Sequence, residues 1–209
     1  MRPAALSILL SAAVLYFAAF TPAAYGSEAA PPKPKIEPNR AEELIVTSRY
    51  SVGILGGYGF EIGSKPTLDF AEVLPYLTFP ISDVMGRSFY RGVFEYKAEA
   101  VLGVITNMNN HGIVGISPVG IRYNFTALGG DFVPYLEILA GGVYANVPHA
   151  VQGTRGNFIE TVSLGANYFV SKKTALQLQV RYRHLSNAGI KLPNPGINTV
   201  SFFVGLDYY

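Results

Sequence analysis

From residue 49 to the C-terminus, apolar and polar residues alternate over segments of about ten residues. Short stretches rich in Gly, Pro, Asn and Asp separate these segments. In 88–104 the even positions are apolar or aromatic from Tyr90 to Leu102, and the odd positions carry most of the charge, with Arg91, Glu95, Lys97 and Glu99. An alternation with a period of two predicts β-strands that have one apolar face and one polar face.

The same pattern predicts eight strands, near 49–62, 68–80, 88–104, 112–125, 132–145, 157–169, 174–186 and 198–209. An even number of strands of this length is typical of bacterial single-chain barrels that cross a membrane. The sequence therefore predicts an all-β fold, an eight-stranded antiparallel transmembrane β-barrel of the bacterial outer membrane. Its apolar face would contact lipid, and its charged residues would pair inside the lumen.

A soluble sandwich or a lipocalin-type barrel would show the same alternation with the apolar face inside. The strand number, the aromatic C-terminus and the contrast between short turns such as VSKK and longer connections such as 187–197 favour the membrane protein. Three prolines, Pro75, Pro118 and Pro134, fall inside predicted strands. Proline cannot donate a ladder hydrogen bond, so we expect these residues at bulges or strand ends.

The N-terminal region differs from the barrel pattern. Residues 1–26 have an early Arg2, a long apolar run and a small-residue ending, which predicts a secretory signal peptide; an uncleaved membrane anchor is the alternative. Residues 27–40 are rich in Pro and charge and predict a linker. The barrel is then expected over 41–209.

Composition narrows the range of functions. The net charge is only +2 and no basic block occurs, so nothing indicates a nucleic-acid partner. The chain has no Cys, which excludes thiolate metal sites and thiol catalysis. His111 and His149 lie far apart with no ligand spacing around them, so we expect no metal site and no cofactor.

The end of the seventh predicted strand carries candidate chemistry. His184 and Ser186 occupy even positions of 174–186, so they lie on the apolar face that is expected to contact lipid. Asn198 shares that face on the next strand. A serine nucleophile needs a base within hydrogen-bond reach and a third group that orients the base. Ser186, His184 and Asn198 can meet this requirement, and the Asn- and Gly-rich loop between them could supply oxyanion donors. Interfacial polar residues without catalytic function would also fit this position.

The segment HLSNAGIKLPNPGIN, residues 184–198, resembles the PagL family, the lipid A 3-O-deacylases of the outer membrane. Weaker similarity extends over the whole mature chain. The resemblance implies an esterase that removes the ester-linked 3-O-acyl chain from lipid A. It further implies Ser186 as nucleophile, His184 as base, and Gly189 and Asn194 as the oxyanion hole. Asn187 belongs to the same signature.

One residue departs from the family pattern, because Asn198 stands where a glutamate is expected. A carboxylate stabilises the imidazolium that forms during catalysis, whereas a neutral amide can only orient the ring. Neither nearby acid is expected to replace it. Asp207 is at the far end of its strand, at a position that faces the lumen, and Glu160 is on another strand.

The sequence thus predicts an outer-membrane serine esterase with a membrane-facing Ser-His-Asn site and lipid A or lipopolysaccharide as its substrate. Outer-membrane lipids are the expected surroundings, and a homodimer is left open. The alternative is a catalytically silent structural or adhesive barrel. A transport pore is disfavoured because eight strands leave no open channel.

Overall fold

The computed structural model describes residues 37–63, 67–108 and 111–209. The predicted signal peptide, 1–26, and most of the predicted linker, 27–40, lie outside these residues. The described part contains a short helix, α1 (Arg40–Thr47), and eight strands. The strands are β1 (Ser51–Glu61), β2 (Asp69–Pro80), β3 (Gly92–Ile105), β4 (Gly112–Phe125), β5 (Phe132–Ala145), β6 (Gly156–Phe169), β7 (Thr174–Ser186) and β8 (Ile197–Tyr208). No helix in the described part is long and apolar enough to cross a membrane.

The eight strands form one closed antiparallel barrel in which each strand pairs with its neighbours in sequence and β8 pairs with β1. The predicted fold class is therefore confirmed, and most strand limits agree within two residues. The third strand is the exception. Its first predicted residues form a 3-10 turn, Ser88–Tyr90, and β3 begins only at Gly92.

Proline explains the irregularities of the ladder. Pro118 lies in a β-bulge of β4, where the register shifts against both neighbours. The bulge reverses the parity of β4, so that Ile113 and Ser117 point inward before it and Arg122 points inward after it. The expectation of a bulge or strand end is confirmed for Pro118 and, near the start of β5, for Pro134, but it is wrong for Pro75, which lies in the middle of β2 opposite Ile54 without a register shift.

The outer surface of the barrel is apolar. Side chains such as Val73, Leu102, Ile138, Leu178 and Phe202 are exposed at alternate strand positions. A closed ladder that satisfies its own backbone groups and presents an apolar surface is the solution available to strands in lipid.

The lumen is filled rather than open. Its middle holds buried, paired charges: Lys97 bonds Glu137 at 3.0 Å, and Arg181 makes a two-pronged contact with Glu99. Arg122 joins Glu137 to Asp207. An apolar cluster that includes Phe70, Ile105, Ile113, Ile159, Leu185 and Ile197 lies towards the loops that follow β1, β3, β5 and β7. The expectation of a paired polar lumen is confirmed at its centre.

Helix α1 packs at the opposite end of the lumen, where the C-terminus also lies. Ala41 and Ile45 pack with Val133, Phe169 and Tyr209 among the buried residues of this end. The sequence pattern did not predict this helix. Its start is set by Asn39, whose side chain accepts from the Glu42 amide while the Glu42 carboxylate accepts from the Asn39 amide, a capping box.

Glu42 attaches the helix to the barrel mouth. Its carboxylate accepts two hydrogen bonds from Arg91 at 2.6 Å and one from Thr126 at 2.6 Å. The sequence assigned Arg91 to the lumen charges, but the structure places it before β3 as the partner of this helix. Burial raises the pKa of Glu42, but the hydrogen bonds from Arg91, Thr126 and the Asn39 backbone outweigh burial and leave the pKa below its ordinary value of 4.5.

We expect Glu42→Gln to lower the free energy of unfolding by about 1–3 kcal/mol, because it removes a charged, two-pronged partner of Arg91. A lowered pKa in the folded state stabilises the protein above pH 4.5 and loses that stabilisation as the pH falls through the folded value. Glu42→Gln should therefore weaken the acid dependence of stability. Circular dichroism during unfolding in detergent measures both effects.

Glu43→Gln on the same helix is the matched control, because Glu43 is exposed. An equal loss of stability in the two variants would contradict the role of Glu42.

Candidate active site

The polar residues singled out in the sequence lie on the outer surface of the barrel. β7 runs between β6 and β8, and its even residues Leu176, Leu178, Val180 and Tyr182 are exposed. His184 and Ser186 continue this set and are half-buried. The predicted membrane-facing position of His184 and Ser186 is therefore confirmed.

His184 and Asn198 are direct cross-strand partners. Their strands pair in register at this point, and His184 Nδ1 lies 2.8 Å from Asn198 Oδ1. Because a carbonyl oxygen can only accept, Nδ1 carries the proton in this arrangement. The other ring nitrogen, Nε2, is then the one that can accept a proton.

Tyr182 is a second partner of Asn198. Its hydroxyl donates to the same Oδ1 at 2.8 Å, so the amide oxygen accepts from both Tyr182 and His184. From the sequence, Tyr182 was predicted only as a lipid-facing residue of β7, two residues before His184, and its contact with Asn198 was not foreseen.

Gly196 lies against the imidazole ring. A Cβ at this residue would come within 2.6 Å of His184 Cε1, and the backbone has a φ of 76°. Both facts require glycine here, because a side chain would displace the ring and strain the backbone. Gly196 therefore forms one wall of the histidine position.

Ser186 is the last residue of β7, two positions after His184 and opposite Phe158 of β6. Among the contacts of the described residues, no hydrogen bond joins Ser186 to the His184 ring. Serine and histidine thus share a face and a strand end without a hydrogen bond between them. Catalytic hydrogen bonds are often long in structures without substrate.

The loop 187–196 is organised by Asn187, which is fully buried. Its side chain donates to the Lys191 carbonyl at 2.7 Å and accepts from the Gly189 amide at 3.0 Å. Ala188 and Gly189 both have positive φ values, 52° and 80°, in a turn closed by the Ile190 amide and the Asn187 carbonyl. The polar groups of Asn187 are therefore used inside the loop.

Asn194 is held from a different loop. Its Oδ1 accepts from Gln152 Nε2 at 2.6 Å and from the Asn187 amide at 3.0 Å. Gln152 is buried in the connection 146–155, and the next residue, Gly153, donates its amide to the Pro193 carbonyl at 2.6 Å. With its oxygen occupied on two sides, Asn194 presents its Nδ2 as the available donor. No local sequence signal identifies Gln152, because it comes from another loop.

The two residues expected to bind the oxyanion, Asn194 and Gly189, differ in whether their donor group is available. Asn194 has a free donor, whereas the Gly189 amide is engaged by the Asn187 side chain. For Gly189 to donate to a substrate oxygen, that internal bond has to be released or shared.

Glu160 also lies beside this cluster. Because Glu160 is on another strand, no sequence pattern indicated that it lies near His184. In the structure β6 is adjacent to β7 and pairs Glu160 directly with His184. Its side chain is exposed on the membrane-facing set of β6. Asp207, by contrast, is buried in the lumen at the other end of its strand, as expected.

A groove of about 620 Å³ runs over the outer surface of β1, β6, β7 and β8. Its outward lining is apolar and comes from Tyr58, Leu164, Leu178, Val180, Phe202 and Val204. Two small outward residues, Gly56 and Ala166, give it depth. Val180 is six residues from Ser186 along β7, a distance of about 20 Å in a strand. The groove therefore lies further from the loop end of the barrel than the polar cluster does, towards the middle of the strands.

Comparison with known proteins identifies the family. The model of the PagL family, lipid A 3-O-deacylase, matches residues 85–207, which include the polar cluster and its loop but not the groove residues Gly56 and Tyr58. The crystal structure of the outer-membrane enzyme PagL is similar to this chain with a TM-score of 0.53 and 20% identity, over 74% of this chain and 97% of that one. Neisserial surface protein A has a TM-score of 0.52 and 13% identity, over 77% of this chain and 97% of its own.

These two likenesses bear on the fold alone. No curated protein sequence matches the chain significantly. The family match covers more than half of the chain, and together with the closed outer-membrane barrel it establishes that this protein belongs to the PagL family of lipid A 3-O-deacylases, carboxylic ester hydrolases of the outer membrane.

Proposed function

We propose that the protein hydrolyses the ester-linked 3-O-acyl chain of lipid A with Ser186 as nucleophile, His184 as base and Asn198 as the residue that orients the base. The observation that carries this proposal is the 2.8 Å contact between His184 Nδ1 and Asn198 Oδ1 on the membrane-facing surface. A soluble substrate would have little access to this surface. A lipid of the same membrane reaches it by lateral diffusion.

Asn198 selects the tautomer that catalysis needs. Because its oxygen accepts the Nδ1 proton, Nε2 is free to take the hydroxyl proton of Ser186 as the serine oxygen attacks the ester carbonyl carbon. The tetrahedral intermediate then expels the 3-oxygen of the glucosamine, which receives the same proton from Nε2. Water, activated by the same histidine, hydrolyses the acyl-enzyme and releases a free fatty acid.

Asn194 is the side chain best prepared to stabilise the oxyanion. Its Oδ1 is occupied by Gln152 and by the Asn187 amide, so its Nδ2 can donate to a developing negative charge without competing for another partner. Gly189 would add a second donor after it exchanges its bond to Asn187. Asn187 itself supports both residues through the loop and does not bind the oxyanion in this proposal.

The apolar groove offers a place for the acyl chain. Its lining residues follow the same strands as His184 and Asn198, so a chain whose carbonyl lies at Ser186 can extend along β7 and β8 towards Val180 and Phe202. Apolar walls contribute to binding in proportion to the surface that they cover. In this proposal the groove determines which chain lengths are cleaved well.

We expect purified, refolded protein to release the 3-linked acyl chain from lipid A, and Ser186→Ala to abolish the release. Asn198→Ala leaves the nucleophile Ser186 in place, but it should lower kcat by about 10- to 100-fold, since the His184 ring loses its orientation. Mass spectrometry of the lipid product and the free fatty acid measures both. A folded barrel that releases no acyl chain, and remains inactive as Asn198→Glu, would instead support the silent structural barrel.

Tyr182→Phe should lower kcat by about three- to tenfold, because Asn198 loses one of the two donors that hold its oxygen towards His184. Tyr168→Phe is the matched control. Tyr168 also faces the membrane, on β6, and its hydroxyl has no hydrogen-bond partner among the described residues. Equal effects of the two substitutions on kcat would contradict the role of Tyr182.

Gly56→Leu should reduce cleavage of long acyl chains more than cleavage of short ones, because the new side chain projects into the groove. A Cβ at Gly56 meets no atom within 4 Å, so the barrel accommodates the change. Gly142→Leu is the control on the outer surface of β5, where a Cβ makes only one ordinary contact, at 3.7 Å. Rates with lipid A species of different 3-O-chain length test this expectation, and an unchanged preference in Gly56→Leu would exclude the groove.

A further inference from the structure

Glu160 occupies an unusual position on the barrel. It is exposed on the membrane-facing side of β6, in a row with Phe158, Leu164 and Tyr168. In the described strands, one other Asp, Glu, Lys or Arg lies on this outer set, Asp69, which is the first residue of β2. Ionisable side chains on a lipid-facing surface are unfavourable and generally have a functional reason.

No neighbouring cation explains this carboxylate. Glu160 forms no ion pair with any residue that the structure describes, whereas the lumen carboxylates Glu72, Glu99 and Glu137 are all paired. The side chains next to it on β6, Phe158 and Val162, are apolar. Glu160 therefore contributes a negative charge that no ion pair among the described residues balances.

The residue opposite Glu160 is His184. The two are cross-strand partners between β6 and β7, and directly opposite residues have their Cβ atoms about 4.5–5.5 Å apart. On its other side His184 pairs with Asn198 of β8. His184 thus lies between Asn198 of β8, whose neutral amide contacts the ring, and Glu160 of β6, which carries a carboxylate.

This arrangement bears on the charge that is missing at Asn198, where a neutral amide stands in place of the expected glutamate. When His184 takes the proton of Ser186 it becomes a cation, and the neutral amide gives no charge to balance it. A negative charge directly opposite on the neighbouring strand, at a poorly solvated surface, favours the cation through space, with no hydrogen bond required. The other side chains on this face beside His184 are Tyr182, Ser186 and Asn198, none of which carries a compensating charge at neutral pH.

We propose that Glu160 is a positioning residue of the esterase, which provides from β6 the negative charge that Asn198 lacks and so stabilises the His184 imidazolium in the transition state. The inference rests on the proposed function of Ser186 and His184. The chemical step is unchanged: the proton moves from Ser186 Oγ to Nε2 and then to the departing 3-oxygen of the glucosamine. Glu160 neither gains nor loses a proton.

The test is a double-mutant cycle on purified barrels in mixed micelles of lipid A and detergent, with kcat and KM determined for each variant. We expect Glu160→Gln to lower kcat by about tenfold with KM within about twofold, and Glu160→Asp to retain most of the rate. In the Asn198→Asp background the carboxylate is restored beside the ring. Glu160→Gln should then lower kcat by less than about threefold.

Asp69→Asn is the matched control, since it neutralises the other outward acid away from the cluster. It should leave kcat unchanged. Circular dichroism of each variant checks that the barrel is folded. If Glu160→Gln perturbs the strand, Glu160→Asp provides a variant at the same position that keeps the negative charge.

The outcomes separate this inference from the proposed function. Wild-type activity that is lost in Ser186→Ala but unchanged in Glu160→Gln overturns the role of Glu160 and leaves the esterase intact. A rise in KM alone assigns Glu160 to substrate binding, and an equal loss in both Asn198 backgrounds excludes charge compensation; each overturns the proposal. Full activity in Ser186→Ala overturns both the proposed function and this inference.

Discussion

Backbone amides and carbonyls find no water inside a bilayer, so every strand that crosses it must pair on both edges, and the rest of this structure follows from that constraint. The closed ladder leaves two surfaces, a narrow lumen and an outer face. The lumen holds the charges, which bond one another, and the outer face must be apolar. Any polar group on the outer face therefore requires a local reason.

The polar cluster on β6, β7 and β8 is the main exception to that apolar face. Its members are stabilised by one another: Tyr182 and His184 both donate to Asn198. The loop beside them is held by Gln152 and Gly153 from the neighbouring connection. Two loops and three strands thus hold a small set of polar groups together on the outer surface of the barrel. A rigid barrel suits this arrangement, because cross-strand register fixes the relative heights of the side chains.

Because Asn198 is neutral, the side chain that is hydrogen-bonded to His184 carries no charge. Here the hydrogen-bonded amide sets the histidine tautomer, and the negative charge lies one strand away on Glu160. In the proposed mechanism, orientation and charge compensation are divided between Asn198 and Glu160, which pair with His184 from the two neighbouring strands.

The sequence by itself determined the features that depend on local periodicity. Alternation with a period of two identified the eight strands, the lumen-facing Glu99 and Arg181, and the outward position of His184 and Ser186. The turn-rich segment after β7 identified the loop that carries Asn187 and Asn194. The tertiary structure alone decided which residues become neighbours, because a chain's own pattern does not state the register of the next strand. Closure placed Glu160 opposite His184, brought Gln152 to Asn194 and used Arg91 to hold α1, and each of these contacts joins residues from separate elements of the chain.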